Sequence, residues 1–328
     1  MSLLHAAVER SPATDVAIAA QLACLLEASV AKPGNVSPGR PFADLRYEDF
    51  LAGAAAIGAP LAAAGSRPLG ATIRVAIEET ACWTASNTNL GIVLLLAPLA
   101  KAAIRLDGVS SGRSAKALAE RPAVSGFSRT LRDETRRVLS ATEVDDARDV
   151  YAAIRRAAPS GLGTVDDQDV AHDPTQTLLE VMRLAAGRDS VAREYATAYE
   201  LTFVTAVPAV ERARRDGLSW QDAVVETFLT ILAATPDTHI ARRGGADLAV
   251  DVTRQAREAL AAGGVRSAAG RAAIEAMDRA LRGARQRANP GTTADLTAAA
   301  LFVLLLHGGW HAVPGEPPPG GGRDAAPR

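Results

Sequence analysis

Four short polar segments interrupt long apolar stretches of the chain, and each holds residue types that can grip phosphate or move a proton. The first runs Glu27-Ala-Ser-Val-Ala-Lys32-Pro33-Gly34-Asn35-Val36. An ammonium beside backbone N–H groups in a Pro-Gly turn can seat a phosphate, although Lys-Pro-Gly-Asn is also an ordinary helix stop. The second, Asn87-Thr88-Asn89-Leu90-Gly91-Ile92, precedes an apolar run. Thr88 or Asn89 can cap the helix that follows, and the start of a buried helix offers free N–H groups and positive dipole to an anion. Glu78 and Glu79 lie upstream, and a carboxylate there suits Mg²⁺ carried on a polyphosphate. The third, Pro236-Asp237-Thr238-His239-Ile240-Ala241-Arg242-Arg243-Gly244-Gly245, packs an acid, a hydroxyl, an imidazole and two guanidinium groups into one turn. Arginine suits bidentate binding of phosphate. The fourth, Asn289-Pro290-Gly291-Thr292-Thr293-Ala294-Asp295-Leu296, opens a nearly wholly apolar helix. Its polar cluster therefore lies at a buried or cleft position, where polar groups need partners.

Helices must position these segments. The chain has 328 residues, 70 of them alanine, and only 4% aromatic residues. Alanine leads the helix scale, and strands favour the β-branched and aromatic residues that are scarce here. Helical periodicity is expected over 15–31, with Thr14 or Asp15 as cap, and over 47–64, 69–86 and 89–106. It recurs over 145–157, 175–186, 191–205 (ending before Pro208), 219–234, 246–262, 267–287 and 292–306. The expected fold class is all-α, a multi-helix bundle or orthogonal array forming one domain over residues 1–313. The Pro- and Gly-rich tail 314–328 carries almost nothing apolar and is expected to be disordered.

Composition excludes several classes of function. The net charge of −1 gives no basic field for nucleic acid. The two cysteines, Cys24 and Cys82, form neither a disulfide framework nor a zinc pattern. No signal peptide is expected at Met1–His5, and the apolar runs 90–100 and 298–306 fall short of a membrane span. A cytoplasmic protein is expected, with no membrane partner and with a homodimer compatible with its many apolar helices. The phosphate loop, the HExxH zinc motif, the dinucleotide fingerprint and the GxSxG elbow are all absent from the sequence. Of 36 basic residues only three are lysine (Lys32, Lys101 and Lys116), a skew that fits coding bias.

Taken together and in order, the four segments resemble the triphosphoribosyl-dephospho-CoA synthase family over about residues 20–306. That family's segments read approximately Lys-Pro-Gly-(Leu/Asn)-Val, Asn-Thr-His-Lys-Gly, Asp-Thr-Asn-x-x-x-Arg-Gly-Gly and Ser-Pro-Gly-Gly-x-Ala-Asp-Leu. They stand here as 32–36, 87–91, 237–245 and 289–296. The family's second-segment lysine is Leu90 here. Of its Gly-Ala-His-x-Asp-Met stretch Asp44 remains while the histidine is gone, so the chain looks like a divergent branch, similar to homologues in archaea and in methanopterin-using methylotrophs.

The resemblance implies an all-α transferase acting on ATP and 3′-dephospho-CoA, or on a related, pterin-like acceptor, with adenine released. Such chemistry needs a carboxylate to accept a hydroxyl proton and cations to hold a triphosphate. Asp237 is expected in the catalytic centre, with Asp295 or Glu27 as the base. Mg²⁺ is expected on Asp237, with Glu79 or Asp44. Lys32, Arg242 and Arg243 would neutralise phosphate. Gly34, Asn35, Asn87, Thr88, Asn89, Gly91, Thr238, Gly244, Gly291 and Thr292 would complete the substrate site. Two other readings keep the same residues: an Mg²⁺-dependent all-α hydrolase of nucleotide or ADP-ribosyl bonds, and a non-catalytic nucleotide-binding protein.

Overall fold

A computed structural model describes residues 11–106, 124–159, 161–283 and 287–308, so the tail expected over 314–328 lies outside the described residues. Among these residues there is no β-sheet, and Ser37 and Arg40 form an isolated bridge. The helices are α1 (Pro12–Ser29), α2 (Tyr47–Ala56), α3 (Gly58–Ala62), α4 (Leu69–Trp83), α5 (Leu90–Arg105), α6 (Val124–Ser140), α7 (Val144–Ala157), α8 (Leu178–Ala185) and α9 (Ser190–Thr197). They continue with α10 (Val207–Arg215), α11 (Trp220–Ala234), α12 (Thr238–Gly244), α13 (Ala246–Ala261), α14 (Ala268–Gly283) and α15 (Gly291–Gly308).

Several boundaries differ from the sequence expectation for local reasons. Ser11, not Thr14 or Asp15, caps α1: its hydroxyl accepts from the Thr14 N–H at 3.3 Å, and Pro12 takes the first turn, where no N–H is needed. The helix expected over 47–64 divides at Ile57, because Pro60 has no N–H for the Ala56 carbonyl. The helix expected over 191–205 ends at Thr197, where Ala198 and Tyr199 turn left-handed with φ of 50° and 59°. A π-turn over Thr202–Ala206 then leads into α10, which accommodates Pro208 in its first turn. The buried Glu194 carboxylate holds this irregular stretch by accepting from Leu201 N–H at 3.0 Å and Thr202 N–H at 2.8 Å. No helix is expected from the pattern at 124–140, yet Val124, Ser128, Leu131, Thr135 and Val138 line one buried stripe of α6.

The core is built round α5 and α15, the two most apolar helices. Helix α15 packs against α1, α5, α10 and α11, and α5 packs against α4 and α6. By length and hydropathy α15 could cross a membrane, contrary to the shorter run read from the sequence, but 78% of it is buried inside the fold. Helix α4 meets α7 at Gly70, whose N–H donates to Asp146 Oδ1 at 2.7 Å. A side-chain carbon at Gly70 would fall 2.4 Å from the Asp146 carbonyl oxygen, so only glycine permits this approach.

Pro98 sits inside α5 and leaves the Leu94 carbonyl without its helical donor. The buried Tyr195 supplies one, its hydroxyl donating to Leu94 O at 2.7 Å, and Tyr199 donates to Leu95 O at 2.8 Å. Two of the four tyrosines are thus spent on one flawed turn. Tyr195→Phe is expected to cost roughly 1–3 kcal/mol, since it strands a buried carbonyl. Pro98→Ala in the same chain restores an N–H for that carbonyl, so denaturant unfolding should find the double variant more stable than Tyr195→Phe alone. Additive losses would contradict this account.

Candidate functional site

The four segments meet at a cleft of about 740 Å³. One wall is polar and comes from the end of α1, the start of α5, α12 and the start of α15. The other is apolar and includes Val150, Tyr151 and Ile154 of α7 with Leu178, Val181 and Met182 of α8.

Asp237 organises the polar wall. It caps α12 through Ile240 N–H, which donates to Oδ1 at 3.0 Å, and it also receives His239 N–H. Its Oδ2 accepts Thr293 N–H and Thr293 O–H, both at 2.7 Å, in the first turn of α15. A carboxylate has about four acceptor positions, and these four donors fill them. Burial pushes the carboxyl pKa up while the hydrogen bonds pull it back. The expectation that Asp237 reacts or ligates Mg²⁺ is therefore corrected: it is buried, does not line the cleft and has no oxygen left over. Thr238, beside it, donates from its hydroxyl to Thr292 Oγ1 at 3.3 Å and accepts Ser190 N–H at 3.2 Å. It locks α12 to α9 and α15 and stays out of the cleft.

Lys32 is likewise internal. Its ammonium donates to the carbonyls of Glu27 and Val30 and pairs with Glu27 Oε1 at 3.0 Å. Those three acceptors use all three of its protons, so the expectation of phosphate binding is replaced by closure of the α1 C-terminus and neutralisation of the buried Glu27. Gly34 is a packing residue at φ +73°, its N–H donating to Asp278 Oδ1 at 2.8 Å. Gly244 faces the Leu248 side chain, away from the cleft. Glu79 is exposed on α4 and does not line the cleft, whereas Asp44 does, at its mouth.

The remaining expected residues do come together. Asn35 donates from Nδ2 to Asn289 Oδ1 at 2.6 Å, and its own Oδ1 is buried without a partner. Asn87 Oδ1 accepts Leu90 N–H at 3.2 Å and so caps α5, the role expected of Thr88 or Asn89. Asn89 instead donates to Thr80 Oγ1 at 3.0 Å and Gly53 O at 3.3 Å, while the Thr88 hydroxyl is buried and unpartnered. Gly91 gives Asp295 its place: a side-chain carbon there would lie 2.0 Å from Asp295 Oδ2, so the carboxyl rests directly against the first turn of α5. Gly291 and Thr292 line the cleft beside His239, whose ring approaches within 3.2 Å of where a Gly291 side chain would be.

The electrostatics of this wall are uneven. Burial, then the charges of Glu27, Asp237 and Asp189, hold the Asp295 carboxyl well above the usual aspartate range. His239 is pushed the other way, down to about 4, by burial and by Arg242 and Arg243, so its ring is neutral and its buried Nε2 is unpartnered. Arg242 pairs with Asp189 Oδ2 at 2.7 Å, while Arg243 has no ion pair among the described residues. Sequence reasoning passed over Asp189 and Arg156, and it gave no role to His239 or Asn289 although both lie in the third and fourth segments. Asp189 carried a signal as a possible cap before α9, and it does accept Val191 N–H at 2.8 Å, but its pairing with Arg242 joins residues remote in the chain.

The folded chain holds the Asp295 proton to a higher pH than an unfolded aspartate, which loses it near pH 4. Its ionisation therefore drains stability as pH rises above about 4. Asp295→Asn is isosteric and uncharged, so it is expected to melt above the wild type at pH 8, with the difference vanishing at pH 4. Thermal unfolding across that range checks this, and a variant that melts lower at pH 8 would refute it.

The chain resembles known proteins over part of its length. A probable 2-(5″-triphosphoribosyl)-3′-dephosphocoenzyme-A synthase of Pseudomonas paraeruginosa is 37% identical over 107 residues, 32% of this chain and 36% of that protein. The corresponding probable synthase of Stutzerimonas stutzeri is 29% identical over 153 residues, 46% of this chain and 51% of that one. The Klebsiella pneumoniae 2-(5″-triphosphoribosyl)-3′-dephosphocoenzyme-A synthase is 36% identical over 103 residues, 31% of this chain and 36% of its own. The matched stretches thus span about a third to a half of these relatives. The crystal structure of a candidate triphosphoribosyl-dephospho-CoA synthase from Archaeoglobus fulgidus superposes with a TM-score of 0.57 at 23% identity, over 79% of this chain and 99% of that one, which shows a shared all-α fold. The family model for ATP:dephospho-CoA triphosphoribosyl transferase matches residues 13–313, and the chain belongs to that family.

Proposed function

We propose that the chain transfers the triphosphoribosyl group of ATP to the ribose 2′-hydroxyl of 3′-dephospho-CoA and releases adenine. The observation that supports this best is the Asp295 carboxyl, raised in pKa and set against the first turn of α5 inside a cleft with one cationic and one apolar wall. In the reaction the hydroxyl oxygen bonds to C1′ of the ATP ribose and the C1′–N9 bond breaks. Adenine leaves with that electron pair and gains a proton, and the hydroxyl proton passes to a base. A carboxylate with a raised pKa is a stronger base than an ordinary one, and Asp295 is placed for that role. Glu27, paired with Lys32, raises the proton affinity of Asp295 from behind. Arg243 and the Asp189-oriented Arg242 face the triphosphate, and neutral His239 offers an uncharged ring nitrogen beside them.

Among the described residues no three His, Cys, Asp or Glu side chains form a resident metal site. Magnesium that arrives with a nucleotide needs only one or two protein carboxylates beside its phosphate oxygens and waters. Asp44 fits that need at the cleft mouth, and the ion would neutralise triphosphate charge there. The apolar wall of α7 and α8 suits the less polar arm of the acceptor.

Purified chain given ATP, Mg²⁺ and dephospho-CoA is expected to release adenine in proportion to acceptor consumed. Asp295→Asn should lower kcat by roughly 10²–10⁴-fold, and Arg243→Ala should raise the KM for ATP. Adenine release that ignores the acceptor would mark a hydrolase, and ATP binding without release would mark a binding protein. Either outcome overturns the transferase reading.

A further inference from the structure

A transferase joining two adenine nucleotides needs two places for a base, and the groups facing the donor account for one. Asp295, His239, Arg242 and Arg243 line the main cleft but not the side pocket of about 340 Å³ that opens beside it. That pocket shares Asn87, Asn89 and Arg156 with the cleft and is bordered by Trp83 at the end of α4.

Trp83 is 73% exposed, in a chain with only three tryptophans, and Trp220 by contrast is buried. An indole open to water carries a large apolar face with nothing on it. Arg156 is exposed at the junction of the two cavities and has no ion pair among the described residues. An aromatic face followed by an unpaired guanidinium is the pairing that takes a base and then its phosphates. Beyond Arg156 along α7 come Ile154, Tyr151 and Val150, the apolar wall of the cleft. A nucleotide whose base lay on Trp83 would therefore send its diphosphate past Arg156, its less polar arm along α7, and its ribose toward Asn87 and Asn89, where the two cavities join.

We infer that Trp83 and Arg156 form the subsite for the acceptor's adenine and diphosphate, separate from the place where the ATP adenine departs. This rests on the transferase reading above. The test is calorimetric titration of the intact chain with dephospho-CoA and, separately, with ATP and Mg²⁺, alongside adenine-release kinetics. Base stacking on an aromatic ring implies that Trp83→Ala weakens dephospho-CoA binding about tenfold. Trp83→Phe should restore most of the loss, Arg156→Ala should also weaken the acceptor, and ATP affinity should be unchanged in all three. The Trp83 ring is mostly in water, so its removal should leave the melting temperature in place. Unchanged acceptor binding in Trp83→Ala, an equal loss for ATP, or a fall in molecular mass showing that Trp83 covers a second copy would overturn the inference while wild-type turnover stands. A wild type that neither binds dephospho-CoA nor releases adenine would instead overturn the transferase reading, and this subsite with it.

Discussion

The polar wall of the cleft depends on a single carboxylate that the cleft never meets. Asp237 gathers the free N–H groups at the starts of α12 and α15, which otherwise would point into a dry interior. Unpaired, those donors would each cost of the order of 1–3 kcal/mol. Because both helix starts close on the same two oxygens, their relative position is set at hydrogen-bond precision. His239, Arg242 and Arg243 then follow on α12, and Thr292 and Asp295 on α15, as consequences of one junction. The Thr238–Thr292 hydroxyl pair adds a second tie, one residue later at the start of α12 and one residue earlier at the start of α15.

Around that junction negative charge is distributed unequally, and the inequality is chemical in effect. Three carboxyl groups are held by donors: Glu27 by Lys32, Asp189 by Arg242 and by the first turn of α9, and Asp237 by four hydrogen bonds. Asp295 receives none of these and lies within the field of all three. The charges of the partnered acids push the proton affinity of the unpartnered one upward, which is how environment sorts like groups into different roles. Gly91 completes the arrangement, since any larger residue would displace the Asp295 carboxyl from the first turn of α5.

Much of the helical frame was legible because it rests on local pattern. The starts of α5 and α15 stood out as polar residues heading apolar runs, and Asn35, Asn87, Asp295 and Arg242 do lie together there. What could not be read were partners distant along the chain. Asp237 is a residue type that binds metal, and nothing near it in the chain reveals that Thr293 takes one of its oxygens; Lys32, by contrast, is consumed by Glu27 and Val30 in its own segment, through a fold of the chain that spacing alone does not show. Glu79 was placed by its spacing from Asn87, but its position on α4 turns it to solvent. Even the break at Tyr199 is tertiary in origin, since its hydroxyl serves a carbonyl beside Pro98 on another helix.

The cations show how the same cleft can be served by different elements. Where the family segment carries lysine, Leu90 is buried at the first turn of α5 and adds apolar surface to the cleft. A cation there would stand at the positive end of the α5 dipole, a costly position unless an anion is present. In this chain the guanidinium groups come from α12 and from the end of α7. Arg242 is oriented by Asp189, whereas Arg243 and Arg156 have no ion pair among the described residues. A cleft with an acid on one helix start and cations near the ends of two others suits the proposed transfer, with phosphate on either side of the reacting carbon. That geometry is what joining one nucleotide to another demands.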